Sequence, residues 1–186
     1  RNDGVDIEKF TDAVNSNGFM VGFIDTEDWM SYSVNIPQDS LYTIKVRQGC
    51  SGSTGGNFYF EADGVRLTPN YYATNTGSWT VMSTKTIPNV VLSSTDKKIR
   101  FVANQVGFHV TSFEFVATGA TSTITADFVH AVTYDNTTIE VQTNKPLDTA
   151  NLGVAASYYV TVNGVPATVT SITKSLSNSR NVLIGV

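Results

Sequence analysis

Two aromatic residues have a setting in which they could do chemistry by contact. Phe23 lies in VGFIDTEDWMSY (Val21 to Tyr32) and Trp79 in TGSW (Thr76 to Trp79). Both stand at the edges of strand-like segments, where a flat apolar ring can face a flat polar ligand. Covalent chemistry has less support. Glycoside hydrolysis needs two carboxyl groups held across a bond, one with a raised pKa, and no such arrangement is visible. Asp25, Glu27 and Asp28 crowd one segment but lack the spacing of a calcium loop, and they are expected to form a solvated turn. G-x-S-x-G, H-E-x-x-H and P-loop motifs are absent from the sequence. Cys50, the single cysteine, sits among SGSTGG without a neighbouring histidine and is expected to be a partly buried apolar residue. A binding protein is expected rather than an enzyme.

The elements that must position these side chains are strands. YTIKV (Tyr42 to Val46), NFYFE (Asn57 to Glu61), KIRFV (Lys98 to Val102) and TSFEF (Thr111 to Phe115) alternate apolar with polar residues, the period of a half-buried strand. Pro37 with Asp39, Gly52 with Gly55 and Gly56, Asp63 with Gly64, and Thr76 with Gly77 punctuate the connections. Short strands between such turns predict an all-β sandwich. After Phe115 the composition changes. ATGATSTIT (Ala117 to Thr125) is small and polar, as a linker is. A second strand pattern follows from Phe128, and Asn163-Gly164 predicts a hairpin with a type I′ turn. The expected organisation is a first domain over 1–117, a linker over 118–126 and a second sandwich over 127–186. Tyr158 and Tyr159 are consecutive, so on a strand they would point to opposite faces and could not share one platform.

Length and charge narrow the classes further. A chain of 186 residues accommodates two modules with cores of ordinary size. One cysteine excludes an intrachain disulfide, so packing must supply stability without excluding secretion. Twelve Lys and Arg against sixteen Asp and Glu, with no basic cluster, argue against nucleic acid as a partner. No apolar run approaches a membrane span in length, and no basic-then-apolar signal region opens the chain.

Four segments together carry a family likeness. GVDIE, VGFIDTEDWMSY, TGSW and GFHV match, in outline, a G-V-x-I-E start, a V-G-Y-I-x-x-G-D-W-x-x-Y block, a T-G-G-W turn and a closing G-F-N-L strand. Over residues 4–116 the chain resembles carbohydrate-binding modules of family 6, jelly-roll β-sandwiches appended to secreted polysaccharide-degrading enzymes. The resemblance implies that Phe23 and Trp79 clamp one sugar, with Glu8 as acceptor for its hydroxyls. His109 falls where the family usually places asparagine, and neutral imidazole likewise offers one donor and one acceptor. Trp29 matches a position that sometimes helps form a second sugar site on the concave sheet face. A structural calcium ion is also implied, although the acidic opening strand that helps hold it is not seen before GVDIE. The second half looks like a bacterial immunoglobulin-like sandwich, and both ends of the chain are expected to continue in a longer protein.

From the residues alone, other readings stay open. Phe23 equally suits a strand core, and Trp29 suits a buried tryptophan. His109, between Phe108 and Val110, equally suits a satisfied structural group. The expected function is non-catalytic carbohydrate binding that tethers a linked catalytic domain to its polysaccharide, outside the cell or on its surface. The competing expectation is a surface stalk or adhesin fragment that binds no sugar.

Overall fold

A computed structural model describes residues 6–14, 18–52, 55–119, 128–145, 147, 152–176 and 180–186. The chain forms two compact units, Arg1–Thr123 and Ile124–Val186. In the first unit the described strands are β1 (Asp6–Lys9), β2 (Phe19–Gly22), β3 (Trp29–Ser33), β4 (Ser40–Cys50), β5 (Asn57–Ala62), β6 (Val65–Arg66), β7 (Tyr71–Tyr72), β8 (Ser78–Leu92), β9 (Lys98–Ala103) and β10 (His109–Gly119). They pair antiparallel into two sheets, one in the order β1-β2-β10-β4-β8, the other β3-β9-β5-β6 with β7 also on β5.

Alternation sorts the side chains as a sandwich requires. In β5, Phe58 and Phe60 turn inward and are buried, while Tyr59 and Glu61 turn outward; in β9, Ile99 and Phe101 turn inward and Arg100 outward. The inward phenylalanines meet in one cluster: ring centroids lie 4.9 Å apart for Phe58 and Phe101, and 5.0 Å for Phe101 and Phe113. Ile44, Val46 and Ile87 of the facing sheet close over them. Truncating one such ring to alanine typically costs about 3–5 kcal/mol, so this cluster is a main anchor of the unit.

Local chemistry sets the turns. Asp63 and Gly64, between β5 and β6, have φ of 49° and 84°, the pair of positive values that a type I′ hairpin needs. The strand β8 does not show as one element in its alternation, because Pro88 and Asn89 interrupt the pattern. Pro88 is tolerated because β8 is the outermost strand of its sheet. The register shifts against Tyr42 and Ile44, and Asn89 takes a φ of 62°, so the strand continues through a bulge. The segment after β1 is tied down by Asp12, whose two carboxylate oxygens accept a bidentate pair of bonds from Arg47 on β4. Arg47 holds the Asp12 carboxyl below its usual range; burial opposes this, and a bond from the Val14 N–H assists it.

The second unit contains β11 (Phe128–Asp135), β12 (Thr138–Thr143), β13 (Val160–Val162), β14 (Val165–Ala167), β15 (Ser171–Lys174) and β16 (Asn181–Gly185). Four of them form a sheet in the order β11-β12-β16-β15, and β13 pairs with β14 as a separate hairpin. Asn163 and Gly164 close that hairpin with φ of 52° and 80°, the type I′ turn expected from their sequence. Two expectations are corrected. Thr118 and Gly119 belong to β10, with Gly119 opposite Leu41, rather than to a linker; residues 120–126 lie outside the described residues. Tyr158 and Tyr159 precede β13, so the strand argument about their faces does not apply. Tyr158 instead donates to the Leu152 carbonyl at the end of a short 3-10 turn, and Tyr159 is exposed.

Candidate ligand-binding cleft

The register of the first sheet builds a polar row on its outer face. Val21 of β2 pairs with Val110 of β10, and both turn toward the core, so Gly22 and His109, the next residues along, turn outward. On one side, Glu8 of β1 pairs with Met20, two residues from Gly22 and on the same face. On the other side, His109 pairs with Gly49 of β4. His109 is therefore flanked by a glycine on each neighbouring strand. Gly22 leaves room for Glu8: a Cβ there would stand 2.5 Å from Glu8 Oε1 and 3.3 Å from His109 Nε2. Gly49 leaves room for the turn that carries Trp79, whose carbonyl oxygen would lie 2.8 Å from a Cβ at that position.

The residue that follows β2 and the start of β8 bring aromatic rings to this row. Phe23 has a φ of 48°, in the left-handed region that disfavours residues with a Cβ, and its side chain is 70% exposed. Ile24 returns at once to the core. The backbone twist thus turns Phe23 out of the strand alternation that would have buried it. Trp79 follows Gly77, whose φ of 76° makes a tight turn. Thr76 fastens that turn to β4, its Oγ1 accepting from the Cys50 N–H at 3.0 Å and donating to the Cys50 carbonyl at 3.0 Å. The Trp79 indole is 41% exposed and stacks on the His109 imidazole, with centroids 5.0 Å apart and planes inclined by 26°. Glu8, Met20, Phe23, Trp79, Thr80 and His109 line an open cleft of about 460 Å³.

The polar atoms at its base are not satisfied. Glu8 Oε1 and His109 Nδ1 are buried and have no hydrogen-bond partner among the described residues. An unmade bond of this kind costs about 1–3 kcal/mol. Burial holds the His109 pKa below the ordinary 6.5, while the Glu8 charge and the Trp79 carbonyl act in the opposite direction. The neutral imidazole is favoured.

Of the five residues singled out from sequence, four meet here: Glu8, Phe23, Trp79 and His109. Trp29 does not. It stands on the outer face of the other sheet and is 55% exposed, so of the two readings left open for it the buried tryptophan is overturned and the sheet-face position remains. The reason is that β3 is an outermost strand, leaving one flank of Trp29 open. The Arg100 guanidinium lies over its ring, 4.6 Å from the centroid, and Arg66 covers Tyr59 on the same sheet at 4.0 Å. Asp28 is also not the solvated residue expected. It is buried, and its carboxylate accepts from the Asp25 N–H at 2.8 Å, so it closes its own turn. Cys50 is fully rather than partly buried. Among the described residues no group of three or more His, Cys, Asp or Glu side chains could hold a metal ion, and no helix is long and apolar enough to cross a membrane. Gly22, Met20 and Thr80 were not singled out from sequence. The only signal for Gly22 was its place inside the VGFI segment.

Several solved structures share the fold of the first unit. A family 6 module of the lichenase 5A of Cellvibrio mixtus, solved in complex with cellotriose, is 29% identical with a TM-score of 0.55, over 62% of this chain and 88% of that one. A β-1,3-glucan-binding family 6 module from Bacillus halodurans is 25% identical with a TM-score of 0.53, over 61% of this chain and 87% of that one. The C-terminal family 6 module of LamC from Zobellia galactanivorans is 23% identical with a TM-score of 0.53, over 60% and 86%. No curated protein matches the chain in sequence. Carbohydrate binding module family 6 matches residues 1–117 as a family, a span that takes in every residue lining the cleft, and the chain belongs to that family.

Proposed function

We propose that the cleft between Phe23 and Trp79 binds a neutral polysaccharide, with β-linked glucans the first class to test. The observation that carries this reading is the pairing of two exposed rings with two unpartnered buried polar atoms, Glu8 Oε1 and His109 Nδ1, in one cleft. A pyranose presents a C-H face to a ring and hydroxyls at its edge, so it suits both halves of such a site. The two structural relatives at 25% identity or above, one bound to cellotriose and one described as binding β-1,3-glucan, support the choice of class. Among the described residues that line the cleft Glu8 is the single carboxylate, whereas glycoside hydrolysis uses two, so the reading is one of binding. In the whole protein the module tethers a secreted or cell-surface polysaccharide-active partner to its glycan, a gain of effective concentration rather than of chemistry. The second unit serves as an immunoglobulin-like spacer, in keeping with its antiparallel sheet and hairpin.

Calorimetry of the intact chain with cellotriose and with a soluble β-1,3-glucan tests the reading. Saturable binding to either, lost on Trp79→Ala, is the expected result. Absence of binding across a broad glycan array would instead favour a structural stalk.

A further inference from the structure

Between Glu8 and His109 the outer face of the sheet carries no side chain, because β2 presents Gly22 there. The φ of Gly22 is not in the left-handed region, so its backbone alone does not demand glycine. Space does: a Cβ would stand 2.5 Å from Glu8 Oε1, and 3.3 Å and 3.4 Å from Nε2 and Cε1 of His109. The first separation is closer than carbon and oxygen approach without bonding. The atom in the way is the end of a flexible side chain, so an alanine would displace the Glu8 carboxylate and leave the strand in place.

We propose that Gly22 is a positioning residue of the cleft: by lacking a side chain it lets the Glu8 carboxylate lie across β2 against His109, where both can meet the same bound sugar. The proposal rests on the carbohydrate reading above for its ligand, but its geometric core, the Glu8 carboxylate and the His109 imidazole converging on the space a Gly22 side chain would fill, can be read without any ligand. Glu8 is also the charged group that acts on the His109 imidazole.

The test is a double-mutant cycle in the intact chain, Gly22→Ala made in the wild type and in a Glu8→Ala background. Three quantities are measured: melting temperature, the His109 titration midpoint by NMR with His130 as internal reference, and affinity for cellotriose and soluble β-1,3-glucan. In the wild type, Gly22→Ala should leave the melting temperature nearly unchanged and move the His109 midpoint further below 6.5 as the carboxylate is pushed away. It should also weaken glucan binding about tenfold, the loss of one charge-assisted hydrogen bond. In the Glu8→Ala background, where the close contact no longer exists, the same change should move neither midpoint nor affinity. Equal effects in both backgrounds, an unmoved midpoint in the wild type, or unfolding in both would overturn the proposal. If the wild type binds neither glucan while the midpoint responds as described, Gly22 still holds Glu8 against His109 and it is the carbohydrate reading that fails.

Discussion

The His109 imidazole stacks on the Trp79 indole, with centroids 5.0 Å apart and ring planes 26° from parallel, so one apolar platform of the cleft is braced by one of its polar groups. Trp79→Ala should therefore do two things. A wild-type dissociation constant of roughly 10 μM to 1 mM is expected for one stacked sugar with a few hydrogen bonds, and the variant should lose most of that binding while remaining folded. Removing the indole also re-exposes the imidazole to water, so the His109 midpoint should rise toward 6.5, because burial is the main influence that lowers it. Affinity electrophoresis reads the first effect and NMR titration the second; an unchanged midpoint would show that the stack does not shield His109.

Phe23 holds a φ of 48° at a position where its ring is 70% exposed. The left-handed conformation costs a residue with a Cβ about 1–2 kcal/mol, whereas glycine adopts it freely at some cost in chain entropy. Phe23→Gly should leave stability equal to wild type or up to about 1 kcal/mol higher, and glucan binding should nevertheless be lost. Phe23→Ala should lose binding without that relief. Urea denaturation beside calorimetry checks both variants, and a Phe23→Gly variant clearly less stable than Phe23→Ala would contradict the argument.

The depressed pKa of His109 fixes the sign of two pH effects. Because the folded value lies below the unfolded 6.5, the folded state binds this proton less readily, so its contribution to stability is present above pH 6.5 and is lost as pH falls through the folded value. Affinity should follow the same course, since protonation converts an accepting ring nitrogen into a donor. Calorimetry between about pH 5 and 8 should show constant affinity at the upper end and weakening at the lower. In His109→Asn, which keeps a donor and an acceptor without titrating in this range, the weakening should disappear.

The bidentate pair between Asp12 and Arg47 gives a separate acid limit. Arg47 lowers the Asp12 pKa below 3.8, so the stabilisation is complete above that value and fades as pH falls through the folded one. Asp12→Ala leaves the part-buried guanidinium without its carboxylate and should cost about 1–2 kcal/mol. Since neither residue lines the cleft, glucan affinity at neutral pH should be unchanged. Thermal melts from pH 7 downward, run beside calorimetry, separate the two effects.

Strands whose side chains alternate plainly were legible in the sequence. The inward Phe58 and Phe60 against the outward Tyr59 and Glu61 needed only the period of two, and Asn163-Gly164 needed only its turn chemistry. The strand β8 was not legible as a unit, because Pro88 and Asn89 look like a break when the pairing that carries the strand past them cannot be seen. In the cleft, family motifs pointed to Glu8, Phe23, Trp79 and His109, but neither the backbone twist at Phe23 nor the stacking of His109 on Trp79 is written in spacing. The stack depends on neighbours distant in sequence. The exposure of Trp29 is not written in its neighbours either, since it goes with β3 lying outermost in its sheet, a matter of strand order.

The bulge in β8 reaches beyond its own strand. An outermost strand 15 residues long would ordinarily offer a straight row of free amides and carbonyls to any other strand that came alongside. Pro88 has no N–H to offer another strand and Asn89 turns the backbone out of line, so the rim cannot be copied strand to strand over its full length. Were copies of the module to gather along one polysaccharide, a rim broken in this way would let them stay close without fusing their sheets.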